Sequence, residues 1–158
     1  MEYFDLFKKY KSDCTVFFET GTHMGNSVDD AYKLGFERIV SVEIKKELYE
    51  HCMKRFHPLD AWEQIKLFLG RSEDNIEKLT LEWVNGRALF WLDAHETYSP
   101  YKIEIEAILK HPRKDHVIIV DDIGYYHIDT KWIKEKLLEY NPNYKFKIYE
   151  KKSLVCTP

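Results

Sequence analysis

A twisted, mostly parallel α/β sheet with helices on both faces is the fold class this sequence predicts, and two observations predict it. Short apolar runs alternate with longer mixed stretches of helical character, as repeated β-α units do. The alternation then breaks: Tyr144–Tyr149 and Leu154–Thr157 flank a polar turn, the pattern of an antiparallel hairpin.

The apolar runs are Thr15–Glu19, Arg38–Val42, Ile65–Leu69, Ala88–Asp93 and His116–Asp121. They are rich in Val, Ile, Phe and Trp, as strands covered on both faces tend to be. Between the first two, Ser27-Val28-Asp29-Asp30 reads as a capping box opening a helix that stops near Gly35. A second helix spans about Lys45 to Phe56 and ends before Pro58. Further helices follow Ser72 and Pro100, and Thr130–Tyr140 carries Trp132, Ile133, Leu137 and Tyr140 at helical spacing. Residues 1–14 are expected as an N-terminal helix or arm, and residues 15–158 as the core of one domain.

Composition narrows the function classes. At 158 residues, folding removes roughly 70% of the chain's surface from water, so a core forms without staples. Hydrophobic residues at 44% and charged ones at 32% exclude a disordered chain. No apolar run approaches the ~18–20 residues that span a bilayer, and the opening MEYFDLFKKYKSD is no signal peptide. Cys14, Cys52 and Cys156 are widely spaced with no CxxC, which excludes a disulfide scaffold and points to a reducing cytoplasm. A net charge of −3 with interspersed signs gives no case for general nucleic-acid binding. No membrane partner is expected.

In sheets of this class, ligands bind beyond the carboxyl ends of the strands, and the chemically interesting residues all fall there. The first run leads into Glu19-Thr20-Gly21-Thr22-His23-Met24-Gly25-Asn26-Ser27. Its glycines permit a tight turn and a close backbone approach. GxGxxG is absent, and Glu19 would repel a pyrophosphate but favour a ligand bearing an ammonium group. The plain alternative is a glycine turn beside an acid. The second run ends at Glu43, an acid able to accept hydrogen bonds from a ribose diol or to cap the next helix. The third leads into Gly70-Arg71-Ser72-Glu73-Asp74, which suits an adenine edge, or a helix cap at Ser72.

The fourth and fifth runs give Leu92-Asp93-Ala94-His95 and Val120-Asp121-Asp122. Three carboxylates at neighbouring strand ends call for a cation, and an all-oxygen set suits Mg²⁺, Ca²⁺ or Mn²⁺. Helix capping is the alternative for each aspartate. His95 is a candidate general base. His51 and His57 do not share a helix face, so no zinc site is expected there. His127 falls on a loop near the same cleft, and Tyr98, Tyr101, Tyr125 and Tyr126 are packing residues or a stacking platform at its mouth.

Taken in order, ETGTHMGNS, VSVE, GRSED, LDAH and VIIVDD resemble the class I S-adenosylmethionine-dependent methyltransferases over nearly the whole chain. The resemblance implies a Rossmann-like, doubly wound seven-stranded sheet of order 3-2-1-4-5-7-6 with strand 7 antiparallel. Within that family, LDAH followed by VDD is similar to the metal-dependent O-methyltransferases of the catechol and macrolide-sugar types. It implies Mg²⁺ held by Asp93, Asp121 and Asp122. Glu19, Gly21 and Gly25 would surround the methionine part of S-adenosylmethionine, with Thr22, Asn26 and Ser27 of the same loop also touching the cofactor. Glu43 would hold the ribose, Ser72 and Glu73 would lie beside adenine, and Asp93 would serve cofactor and catalysis together. The lysine that the catechol type carries after the fourth strand is replaced by His95-Glu96, as in the sugar-modifying branch. His95 is therefore expected as the base acting on a small or glycan-like hydroxyl acceptor.

Few residues precede the first strand, so the site is expected to be open, reduced, or completed by a second copy or another protein. Three rival readings of the sequence are a metal-independent methyltransferase, a non-catalytic cofactor- or partner-binding module, and a Mg²⁺-dependent phosphate-transferring or hydrolysing enzyme. The last lacks a GxxxxGK[ST] loop.

Overall fold

The computed structural model describes residues 3–59 and 61–158; residues 1 and 2 of the expected N-terminal segment lie outside them. In chain order the elements are α1 (Phe4–Tyr10), β1 (Val16–Thr20), α2 (Asn26–Lys33), β2 (Arg38–Glu43), α3 (Lys46–Phe56) and β3 (Ile65–Leu69). Then follow α4 (Ser72–Trp83), β4 (Ala88–Leu92), α5 (Tyr101–Leu109), β5 (Val117–Val120), α6 (Thr130–Tyr140), β6 (Lys145–Tyr149) and β7 (Ser153–Thr157). The seven strands form one sheet of order β3-β2-β1-β4-β5-β7-β6. Strands β1 to β5 run parallel, and β7 is antiparallel to both β5 and β6. The sheet order and the closing hairpin are those predicted.

Successive strand residues point to opposite faces, so each buried strand feeds two cores. Val16, Phe18, Val40, Phe90, Leu92, Ile118 and Val120 pack with Ile76 and Leu79 of α4, Ile105 and Ile108 of α5, and Ile133 and Leu137 of α6. Phe17, Ile39, Leu89, Trp91 and Ile119 pack on the other face with Leu6 and Phe7 of α1, Val28 and Ala31 of α2, and Cys52 and Phe56 of α3. The N-terminal segment is thus a helix seated on the sheet. Phe7 lies edge-on to Trp91 and Phe17, with ring centroids 5.2 and 5.0 Å apart. Truncating such a buried phenylalanine typically costs about 3–5 kcal/mol.

One local expectation is corrected. Helix α2 starts at Asn26, capped by Gly25 in the left-handed region at φ +79°, and no side chain caps it. Ser27 lies inside the first turn and donates its hydroxyl to Glu19. The glycine supplies the sharp entry that the serine was expected to supply, which frees that hydroxyl for the interior. The aspartates at the strand ends do not cap helices either: α5 starts behind Pro100, and α6 is capped by Asp129, whose carboxylate accepts from Trp132 N–H at 3.0 Å.

Candidate active site

Strand order reverses at β1, between β2 and β4, which opens a crevice beyond the carboxyl ends of these strands. Backbone hydrogen bonds run to the last strand residue: Gly21 N–H donates to Val42 O at 2.9 Å, and Asp93 N–H to Thr20 O at 3.1 Å. The loops therefore leave the sheet side by side. At Gly21 φ is +87°, and an added Cβ would lie 2.7 Å from the Asp93 carbonyl oxygen. Only glycine lets the β1 and β4 loops approach this closely.

The crevice holds a cavity of about 180 Å³. Gly21, Glu43, Ser72, Glu73, Asp93 and His95 of the predicted residues line it. Glu43 is fixed by backbone: its Oε2 accepts from His23 N–H at 2.7 Å and its Oε1 from Lys45 N–H at 2.8 Å. Each oxygen keeps a lone pair for a ligand. At the other wall Arg71 Nε donates to Glu73 Oε1 at 2.8 Å, and Arg71 also donates to the Tyr98 hydroxyl, which in turn donates to Glu73. Burial pushes the Glu73 carboxyl up, but hydrogen bonds from its own backbone, Tyr98 and Arg71 outweigh this and hold it below the usual carboxylate range.

Glu19 does not reach the cavity. It is fully buried, and its oxygens accept from Ser27 and Ser41, the latter at 2.6 Å, while Thr22 and Ser41 share a further hydroxyl contact. Burial pushes the Glu19 carboxyl up to about 8, against the lowering effect of the two serines. Glu19, Thr22, Ser27 and Ser41 thus knit β1, β2 and α2 together behind the cavity wall. Gly25 is needed for packing, since a Cβ there would lie 2.8 Å from the Phe56 ring. Asn26 faces α3, its side-chain oxygen accepting from Arg55 at 3.0 Å.

Beside the cavity, the structure brings Asp93, His95 and Asp122 together, one ligand atom of each lying within 4.8 Å of the others. His95 Nε2 lies 3.5 Å from Asp93 Oδ1 and 3.2 Å from Asp122 Oδ2. The contact with Asp93 chiefly raises the imidazole above its ordinary pKa, and burial raises Asp93 above the usual carboxylate range. The Tyr126 ring stacks on His95 at 4.4 Å and 20°. Asp121 points elsewhere. Its Oδ1 accepts from Ser153 Oγ at 2.5 Å, its Oδ2 accepts from the Tyr3 hydroxyl at 2.8 Å, and Lys152 Nζ stands 3.3 Å from Oδ2. The same ammonium is 3.8 Å from Asp122 Oδ1.

The expected trio of aspartates is therefore not a free all-oxygen cage for Mg²⁺. Asp121 Oδ2 accepts from Tyr3 and faces the Lys152 ammonium, so a cation drawn to Asp121 would meet like charge at close range.

The remaining candidates fall outside the cluster. His51, His57 and His127 are exposed, and Tyr101 is buried, its hydroxyl oxygen accepting from Asp129 N–H at 2.9 Å. Sequence reasoning missed His23, Ile44, Leu48 and Arg71 as cavity residues and left Tyr98 undecided. The signal for Arg71 was present in GRSED, one place before the serine singled out. Ile44 and Leu48 carry no mark that separates a cavity wall from a core.

No family model and no curated protein sequence matches the chain. Solved structures do. The SAH-bound methyltransferase PaMTH1 of Podospora anserina is 14% identical, with a TM-score of 0.70, over 99% of this chain and 76% of that one. An O-methyltransferase of Bacillus cereus in complex with SAH is 15% identical, with a TM-score of 0.68, over 99% and 78%. The O-methyltransferase TomG of Streptomyces achromogenes, involved in tomaymycin synthesis and solved with SAM, is 15% identical, with a TM-score of 0.65, over 99% and 77%. The chain has the fold of these methyltransferases.

Proposed function

We propose that this chain transfers a methyl group from S-adenosylmethionine to a hydroxyl of a small or sugar-like acceptor. The observation that carries the reading is the single cavity wall joining Glu43, Ser72-Glu73 and Asp93 at the point where strand order reverses. Those groups suit a ribose diol, an adenine edge and a positively charged sulfonium in succession.

S-adenosylmethionine supplies a methyl group on a sulfonium; transfer breaks the C–S bond, leaves its electron pair on sulfur and forms a C–O bond. The protein's own work is alignment and proton removal. Glu43 orients the ribose through oxygens whose direction the His23 and Lys45 amides fix. Gly21 keeps the β1 and β4 loops close enough for a ligand to touch both. His95 Nε2 takes the acceptor proton, and the flanking carboxylates of Asp93 and Asp122 stabilise the imidazolium that results. Among the described residues Asp93, His95 and Asp122 would be the donors for the Mg²⁺ that the resemblance implies, and no step here depends on it.

Calorimetric titration with S-adenosylhomocysteine tests the reading. Binding in the micromolar range, about −8 kcal/mol, that falls roughly tenfold or more in Glu43→Ala supports it. No heat and no thermal shift at high ligand concentration would remove the cofactor site and the reaction with it.

A further inference from the structure

Lys152 is built into its position. It follows a hairpin turn in which Glu150 and Lys151 both adopt positive φ. Its N–H donates to Tyr149 O at 2.9 Å, and its carbonyl accepts from Ile123 N–H at 2.9 Å, tying the turn to the loop that carries Asp121 and Asp122. The ammonium lies 4.8 Å from the centre of the Tyr3 ring and contacts the Tyr3 hydroxyl. From there it reaches both aspartates, at 3.3 and 3.8 Å.

We propose that Lys152 is the resident cation of the strand-5 aspartate pair, filling with an ammonium the place a divalent ion would take, so that this site binds divalent metal weakly. The inference rests on the methyl-transfer reading only for its catalytic meaning, which is that transfer proceeds without added metal. Adjacent carboxylates repel one another and need positive charge nearby. An ion seated between Asp121 and Asp122 would come within a few ångströms of Nζ and meet like charge. Tyr3 and Ser153 hold the Asp121 carboxylate in hydrogen bonds that keep Oδ2 aimed at the ammonium. Lys152 acts here as a positioning residue: it fixes Asp121 and Asp122, and through Asp122 the orientation of His95.

The test is a Mn²⁺ titration of the intact protein followed by electron paramagnetic resonance, with no substrate present. The wild type should bind Mn²⁺ only in the millimolar range, whereas Lys152→Met should bind it roughly tenfold or more tightly. Lys152→Arg, which keeps the charge, should stay weak, and adding Asp122→Asn to Lys152→Met should abolish the gained affinity. Micromolar Mn²⁺ binding by the wild type would overturn the proposal, and this outcome needs no variant to fold. An unchanged Mn²⁺ affinity in a folded Lys152→Met protein would overturn it as well. S-adenosylhomocysteine titrated on the same samples in EDTA separates the two readings. Loss of cofactor binding there would count against methyl transfer and leave the cation result standing.

Discussion

His116 Nε2 lies 3.0 Å from His111 Nδ1 in the interior between the end of α5 and the start of β5. Ala88 N–H donates to His116 Nδ1 at 3.1 Å, so that nitrogen is an acceptor and the proton sits on Nε2. His111 in turn presents Nε2 to the Val84 carbonyl at 3.0 Å. One neutral tautomer of each ring satisfies the whole chain; a second proton on His116 would face an N–H. Burial pushes His116 down to about 3. Its folded pKa is below the unfolded one, so the stability is present above about pH 6.5 and is lost as pH falls toward 3. The loss is up to about 1.4 kcal/mol per pH unit. Urea unfolding at pH 7.5 and pH 5 should show this drop in the wild type and a shallower one in His116→Gln. Equal slopes would mean the histidine pair does not govern acid sensitivity.

Glu104 on α5 has the opposite dependence. It is fully buried, with neither carboxylate oxygen hydrogen-bonded among the described residues, and burial pushes it up to about 7 against the hydroxyls of Ser72 and Thr20. A raised carboxyl pKa means stability is complete below about pH 4.5 and declines as pH rises through 7. The change is on the order of 3 kcal/mol. Glu104→Gln removes the titration, so its stability relative to the wild type should grow between pH 5 and pH 8. A constant difference would show that Glu104 is ionised in the folded protein.

Two glycines with the same backbone sign offer an internal control. Gly35 has φ +72° with nothing near an added Cβ, whereas Gly21 would collide with the backbone of Asp93 and Ala94. Gly35→Ala should cost only the backbone strain, about 1 kcal/mol. Gly21→Ala should cost clearly more, lowering Tm by several degrees, and should weaken S-adenosylhomocysteine binding as the two loops separate. Similar melting temperatures for the two variants would show that the loops can move apart freely.

The thiols give a third kind of check. Cys14, Cys52 and Cys156 are all buried and free, and burial pushes the Cys14 and Cys52 thiols up to about 11 and the Cys156 thiol higher still. A disulfide reagent at pH 8 should find no fast-reacting thiol in the native protein and titrate all three after denaturation. A rapid native reaction would place one of them on a transiently open face.

Strand positions were readable in the sequence because burial on both faces favours near-continuous apolar runs, as in Ala88–Leu92. The acids at the strand ends were readable as a group, but not the direction in which each points. Glu19 is turned inward by Ser41, a residue on another strand, and Asp121 is claimed by Tyr3 and Ser153 from the two far ends of the chain. Such long-range partners leave no local pattern. The same holds for Lys152, whose importance comes from a hairpin folding back over β5. Ser27 was misread for a local reason: a serine ahead of an acid resembles a cap unless a left-handed glycine has already turned the chain.

The placement of β7 also fixes an order of assembly. Strand β6 is synthesised before β7, yet it joins the sheet only through β7, which occupies the gap beside β5. Until Ser153–Thr157 has emerged and inserted, the outer margin of β5 lacks its neighbour, Asp121 lacks Ser153, and Lys152 has no fixed position. A nascent chain arrested before that point holds the residues of the first five strands and of the Glu43 end of the crevice, while its acidic corner stays unformed. The two ends of the crevice would thus mature at different moments of translation.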